Sequence, residues 1–496
     1  HAVRDRVRDG AIHRRGRNDA SFHCLRQAVT IFCNPASTTN GTGTLLNPLN
    51  TWSGIDGSED NEFAQIAGAP LVSTTTDAIN FTVAGTAAAP KVLRSYEAGT
   101  GDPTTAKAVI VGSGAAARNG INIASDIGYW QIRDFDISEV GEWGSMSYGI
   151  SLAVSAANDA FPMFVTIERC NVHDLRNVNV AGGLRANGLS LRGRGNIVRD
   201  CNIWRTPVDG IFFRGQDVLI ENNRVWDTNI FGGNEADCLQ GAQDVSGAVI
   251  RGNYFDGARN QGKQSVLFQN TNANRKPIQF YGNKVISGAS LGQGLVCDQV
   301  AFVFDNEFID GLYSIRAKAG LVITGNRFRN HKSEGDHFAV WCETGGATVM
   351  NNDFRNFTNA TANASNRAIF ATNATPANVL HNNLIHGYHT GIRFDNTVGH
   401  TESHNWIAGT VIPVANSGGN AHTLGTGTVT TDWRNYVDSR GRPRIDPGVT
   451  LATLSAACPI ANAGIYHAGV RLAHGRLRPN LRPIGPYAPV FANAPV

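Results

Sequence analysis

A single parallel β-solenoid is what this sequence predicts, on three observations. A short motif, apolar-x-x-(Asn or Cys)-x-apolar, recurs at an average step of 27 residues between Phe135 and Asn405. Turn-forming residues are abundant, with 55 Gly and 47 Asn among 496 residues, while charged residues make up only 17% against a usual ~25%. Only seven of the 43 basic residues are Lys, so the Glu/Lys faces that coat surface helices are missing. A repeat of roughly 20–35 residues with strand-like alternation reads as stacked coils, each too small to bury its apolar face alone.

The same numbers exclude other classes. At 42% hydrophobic the chain can bury a long core, so wholesale disorder is ruled out. No apolar run is long enough to cross a membrane as a helix. A net charge of +3 is too mild to mark nucleic acid as the main partner. The eight Cys show no CxxC and no zinc spacing. Cys24 and Cys33 stand close enough in sequence for a local bridge, and the others read as buried thiols.

The motif runs through Phe135, Cys170, Cys201, Asn223, Asn253, Asn283, Asn306, Asn326 and Asn352, then Val379…Asn382…Leu384, and last Glu402…Asn405…Ile407. Its central residue sits at a turn, where Asn tolerates left-handed backbone geometry. Stacked Asn side chains can also hydrogen-bond from coil to coil. Cys170 and Cys201 occupy neighbouring steps of the same column and read as stacked thiols.

Elsewhere in each coil lies another strand. Its inward pairs are expected to be Leu189/Leu191, Ile211/Phe213, Leu239/Gly241, Val266/Phe268, Leu295/Cys297, Tyr313/Ile315, Phe338/Val340, Ile369/Ala371 and Ile392/Phe394. Side chains alternate along a strand, so two outward columns follow. One passes through Phe212, Gln240, Ser314, Ala339 and Arg393; the other through Arg192, Arg214, Asp298, Arg316, Trp341 and Asp395. Together they form the floor of a long external groove.

Around this repeat the sequence divides into an N-terminal capping segment at 1–79, the solenoid at 80–410 and a C-terminal tail at 411–496 packed on it. About 11 coils are expected. Residues 20–32 read as a short capping helix, because an open terminal coil exposes core and strand edges. The first 27 residues are rich in Arg, with no apolar stretch of the kind that makes a secretion signal.

The sequence resembles the right-handed parallel β-helix proteins of the pectate-lyase-like superfold, a group of polysaccharide lyases, hydrolases and phage tailspikes. The resemblance rests on the Asn repeat, on Asn34-Pro35-Ala36 and Asn47-Pro48-Leu49-Asn50-Thr51 near the start, and on the run Ala84-Gly85-Thr86 to Tyr96. Cys458-Pro459-Ile460-Ala461-Asn462 and Pro483-Ile484-Gly485-Pro486-Tyr487 carry it near the end. It implies an all-β chain forming one right-handed helix, whose groove from Arg192 to Asp395 binds glycan.

The chemistry on that groove centres on Asp209 and Asp237, at equivalent points of adjacent coils and so about 5 Å apart at the backbone. Glu235 precedes Asp237 by two residues, and Lys263 lies on the next coil's loop. Three chemistries fit. In β-elimination on a uronic-acid glycan, Lys263 is the base and Arg214 neutralises the substrate carboxylate, with Ca²⁺ a candidate cofactor on Asp209, Glu235 and Asp237. In glycoside hydrolysis, two of the three carboxylates act as acid and as base or nucleophile. In the third, the helix binds glycan or serves as a structural spike without catalysis. An Asp before Gly at a turn also bonds its local backbone, which gives Asp209 a purely structural alternative. Arg192, Arg214, Gln240, Asp298, Arg316, Trp341 and Arg393 are the expected substrate-binding residues, with Trp341 offering an aromatic face. His337 stands at the edge of the Trp341 strand. The expected partner is a polysaccharide and the expected location extracellular, or on a virion tail. A tailspike would be a homotrimer, a lone enzyme a monomer.

Overall fold

The computed structural model describes residues 30–430, except 58–61, 75, 99, 102–105, 114–115, 143–145, 154–160, 162, 176–184, 229–235, 244, 258–263, 270–274, 288–291, 331–336, 345, 358–363, 373–376, 396–399, 417–422, 426–427 and 429. Among the described residues there is no α-helix. Three parallel sheets, of 14, 13 and 13 strands, run the length of the molecule. Each coil contributes one strand to each. In one coil, Ile197–Arg199 lies in the first sheet, Asn202–Thr206 in the second and Ile211–Arg214 in the third; Leu219–Glu221 then opens the next coil beside Ile197–Arg199.

The strands are short and many alternate, as Lys91–Tyr96 and Ala108–Gly112 show with every second residue buried. The inward residues of all three sheets meet in one continuous core from Cys33 to Val414. In the second sheet Phe308, Phe328 and Phe354 stack coil on coil, with ring centroids 5.2 and 4.4 Å apart.

The turn between the first and second sheets carries the Asn column. Asn223, Asn253, Asn283, Asn306, Asn326, Asn352, Asn383 and Asn405 are all at most 2% exposed. Each Nδ2 donates to Oδ1 of the next Asn, from Asn223 to Asn253 (3.0 Å) through to Asn383 to Asn405 (3.0 Å). Each Nδ2 also donates to a main-chain carbonyl of the preceding coil, as Asn283 does to Ile250 O at 3.0 Å. Each Oδ1 takes a backbone N–H as well, as Asn306 Oδ1 does from Asn283 N at 2.9 Å. Cys170 and Cys201 extend the column upward as free, buried thiols.

Two details differ from the sequence reading. The left-handed residue of the turn precedes the column: Asn222, Gly252, Gly282, Asp305, Gly325, Asn351, Asn382 and His404 have φ between 55° and 68°. The column Asn keeps ordinary geometry because its side chain must point inward. For the same reason Asn383, not Asn382, stands in the column, with Leu380 and Ile385 buried beside it and Val379 exposed.

The coils also extend beyond the Asn repeat. Glu62–Ile66, Leu71–Ser73 and Ile79–Phe81 already occupy the first, second and third sheets, so strands of the solenoid precede residue 80. Their turns lack the Asn motif, which is why spacing alone undercounts coils. Thr30–Cys33 is a strand paired in parallel with Glu62–Gln65, not the end of a helix. Its β-branched and aromatic residues suit a sheet edge better than a helix; residues 20–29 of that expected helix lie outside the described residues. Cys33 is free and buried; Cys24 and nearly all of the expected tail, from 431 on, also lie outside.

At the far end the ladder closes on a carboxylate. Glu402 takes the inward position of the last first-sheet strand, accepts from Asn405 Nδ2 at 2.9 Å and from Thr428 Oγ1 at 2.6 Å, and bonds Gly425 N.

Asn283→Ala removes one rung and leaves the buried N–H groups of Asn253 and the Oδ1 of Asn306 short of partners. At roughly 1–3 kcal/mol for each unsatisfied group, the expected cost is at least ~3 kcal/mol, read as a lower urea midpoint. A loss below ~1 kcal/mol would show that the ladder does not hold the coils.

Candidate functional site

The third sheet carries the groove face, and its register decides which residues share it. Leu189, Ile211, Leu239, Val266, Leu295, Ile315, Val340, Ile369 and Ile392 are aligned neighbours. Two inward pairs are therefore Ile315/Ala317 and Val340/Cys342, two residues later than expected from Tyr313 and Phe338. The stacked Phe residues of the second sheet supply the bulk in those coils, so Ala317 and Cys342 fill the inward positions. Tyr313 and Phe338 move out to the corner, where their rings pack at 5.3 Å.

This shift rearranges the outward columns. Arg316 and Trp341 join the column of Phe212, Gln240, Phe370 and Arg393. Ser314 and Ala339, expected there, are instead buried at the corner. The second column keeps Arg192 and Arg214, side by side in adjacent coils, and Asp298 and Asp395. Between those acids it keeps Thr372 and gains Lys318 and Glu343, each one residue past the aligned Ala371, Ala317 and Cys342.

The result is a connected array. Arg316 holds Glu343 by a fork, Nε to Oε2 at 2.7 Å and Nη2 to Oε1 at 2.9 Å. The carboxylate beside it raises the pKa of the Arg316 guanidinium still further. Lys318 pairs with Asp298 at 3.3 Å and Arg393 with Asp395 at 3.0 Å. The Arg316 guanidinium lies 4.6 Å over Trp341, which stacks on Phe370 at 6.3 Å and 25°. Arg393 lies over Phe370 from the other side. Trp341 Nε1 donates to Thr372 Oγ1 at 3.2 Å. Trp341 thus has both ring faces covered. It acts as a spine that positions Arg316, not as the open platform expected from sequence. Gln240 reaches Gln269 at 3.4 Å, further along the same face.

Asp209 and Asp237 are neighbours, as expected, but they are 2% and 1% exposed. They belong to a polar column at the corner between the second and third sheets. Asn187 Oδ1 accepts Asp209 N at 3.1 Å, and Asp209 Oδ1 accepts Asp237 N at 2.9 Å. Asp77 and Asn119 do the same earlier in the chain, accepting the N–H of Asn119 and of Tyr148. The tight turn there needs Gly210, where a Cβ would stand 2.3 Å from Val225 Cγ1. Burial pushes the Asp209 carboxyl up to about 7, against the Asp237 N–H that lowers it.

These two acids do not fit Ca²⁺. One Asp209 oxygen is committed to an N–H donor, and desolvation favours its protonated form, whereas calcium takes ionised, accessible oxygens. Among the described residues no group of three or more His, Cys, Asp or Glu side chains is placed to hold a metal. Glu235 and Lys263 lie outside the described residues.

A second aromatic strip lies on the second sheet. His173 stacks on Trp204 at 4.1 Å and Trp204 on Trp226 at 4.9 Å, and His173 is held between Asp136 and Asp174. Its rings cover one another, so it offers edges and little open face.

Sequence reasoning missed Lys318 and Glu343. Lys318 is one of only seven lysines, and the pattern Asp298, Lys318, Glu343 would have surfaced once the register was right.

The family model for the right handed beta helix region matches residues 119–299. The described residues fold as a right-handed parallel β-helix. Among solved structures, this β-helix overlays an alginate lyase from Paenibacillus sp. str. FPU-7 with a TM-score of 0.37 and 12% identity, covering 66% of this chain and 95% of that one. It overlays the Dettilon tailspike protein gp208 with a TM-score of 0.44 and 11% identity, covering 72% and 62%. For the PL6 family alginate lyase AlyGC the TM-score is 0.49 and the identity 14%, covering 84% and 56%. These likenesses are of fold. No curated protein sequence matches the chain. No helix among the described residues is long and apolar enough to cross a membrane.

The raised Asp209 pKa has a sign that can be checked. Below about pH 4 the carboxyl is protonated in both folded and unfolded chains. Between about 4 and 7 the folded state keeps a proton that the unfolded state has lost, so this group's contribution to stability falls as pH rises through that window. Asp209→Asn keeps an Oδ1 acceptor for Asp237 N and removes the ionisation. The variant is expected to be more stable than the parent at about pH 8, with the gap closing near pH 4, by denaturant titration at each pH. Equal slopes in both proteins would contradict the buried-carboxyl account.

Proposed function

We propose that this β-helix is an extracellular polysaccharide-binding and -cleaving protein, secreted or carried on a virion. Its glycan would lie along the outward face of the third sheet, over Asp298, Arg316, Lys318, Glu343 and Arg393. One observation carries the reading: acidic and basic side chains alternate through Asp298, Lys318 and Glu343 in three successive coils, with the Arg316 fork beside them. Such a row presents charged acceptors and donors at the coil spacing of ~4.8 Å, close to the length of one sugar unit in an extended chain. Lys318, with Arg192 and Arg214 further along the face, suits a glycan that bears carboxylates, while the Arg316 fork is taken up by Glu343 and braces the row.

Two cleavage chemistries are open to these residues. In β-elimination Lys318, released from Asp298 and neutral, takes the proton next to the sugar carboxylate as the bond from the β carbon to the glycosidic oxygen breaks. In hydrolysis Asp298 and Glu343 act from opposite sides of the bond; they stand two coils apart, roughly 9–10 Å at the backbone. β-Elimination is favoured, since both oxygens of Glu343 are already engaged by Arg316. Asp209 and Asp237 are buried at the corner, away from this row. Arg192 and Arg214 extend the cationic face toward the N-terminal coils.

The test is a panel of acidic and neutral polysaccharides, assayed for unsaturated ends by ultraviolet absorbance and for reducing ends. Both signals on an acidic glycan are expected. Lys318→Ala should then cut turnover by about 10²-fold or more, the scale of a lost acid–base group, with the far-ultraviolet circular dichroism unchanged. Reducing ends alone would move the assignment to hydrolysis, and neither binding nor cleavage across the panel would overturn the reading. Sedimentation velocity separates monomer from homotrimer.

A further inference from the structure

The corner between the second and third sheets holds buried polar residues, among them Asn187, Asp209 and Asp237. In the coils of Asp310, Asn330 and Tyr388 it opens into a small polar cavity lined by Asp310, Gly311, Ser314, Asn330, His337 and Tyr388. Measured at the centre of a water-sized molecule its volume is about 10 Å³, room for one water. Most of the lining polar groups are accounted for. Ser314 Oγ donates to Asp310 O at 3.2 Å. Arg329, on the rim, is held by Asp353 at 2.9 Å.

Two are not. His337 is 2% exposed and Tyr388 1%. His337 Nδ1 lies 2.9 Å from Gly311 O, and a carbonyl can only accept, so Nδ1 carries the proton and Nε2 presents a lone pair. Among the described residues that Nε2 has no hydrogen-bond partner, and neither has Tyr388 Oη. Leaving either group bare in the interior is costly, and the two are complementary: one needs a donor, the other can donate and accept.

We propose that this cavity binds one ordered water, which donates to His337 Nε2 and accepts from Tyr388 Oη. The water joins the residue just before Phe338–Cys342 to the residue between Leu384–His386 and Thr390–Phe394. It thereby ties the strand of Trp341 to a coil two steps on, and it fixes the Nδ1–H tautomer of His337. The site stands independently of any glycan, because none of its ligands faces the groove.

A high-resolution crystal structure of the full chain tests it. The expected result is a single water peak within ~3.2 Å of both His337 Nε2 and Tyr388 Oη. In Tyr388→Phe, which keeps the ring, that peak should be lost or drawn onto His337 alone. In solution, a magnetisation-transfer cross-peak should link the His337 ring to a slowly exchanging water in the parent and disappear in Tyr388→Phe. A dry cavity in the parent, a direct bond between His337 and Tyr388, or a cross-peak unchanged by the variant would each overturn the proposal.

Discussion

The stacking of Asn side chains at the turn between the first and second sheets is the constraint on which the rest of this molecule depends. An Asn amide is both donor and acceptor, so a column of them can satisfy itself only if every coil repeats at the same height and angle. From Asn223 to Asn405 each amide bridges to the next Asn and to a main-chain carbonyl of the preceding coil. Buried amides that lose one partner become costly, so the column enforces register. It also explains why a turn residue is fully buried: its neighbour takes the left-handed geometry, leaving the Asn side chain free to point inward.

Where the column ends, other polar groups take its place. Toward the N-terminal coils Cys170 and Cys201 fill it as thiols. Toward the C-terminal end Glu402 and Thr428 accept and donate in its stead. The opposite corner has its own polar column, with Asn187, Asp209 and Asp237 each linked through a backbone N–H. In that column the Asp209 carboxylate, which looks catalytic in sequence, accepts the Asp237 N–H at a tight bend. The outward face, by contrast, is assembled from ion pairs between coils, Arg316 with Glu343 and Lys318 with Asp298. These half-buried pairs hold neighbouring coils together beside one aromatic spine.

How much could be read from the chain depends on distance from the Asn column. The second-sheet strand begins immediately after the Asn, so the motif's last apolar residue falls at a fixed inward position, and Val225, Phe255, Val285 and Phe308 are all buried there. The third-sheet strand lies beyond a corner of variable length. Ile315 follows Asn306 by 9 residues, whereas Ile369 follows Asn352 by 17. Counting forward therefore cannot place it, and the larger side chains Tyr313 and Phe338 drew the register two residues too early. The error hid Lys318 and Glu343 as partners of Asp298 and Arg316.

By itself the sequence determined the architecture: a period near 27 residues, strand-length alternation and one polar residue per turn admit few structures other than stacked parallel coils. It also determined that Asp209 and Asp237 would be neighbours, since equal steps along the chain become adjacent steps in space. Only the tertiary structure decided which of those neighbours face solvent. Alternation sets a side chain's direction relative to its own strand, but whether that direction leads to a core, a corner or an open face depends on the packing of the other two sheets. That packing buried Asp209, covered both faces of Trp341 and left His337 and Tyr388 facing a shared space inside the wall.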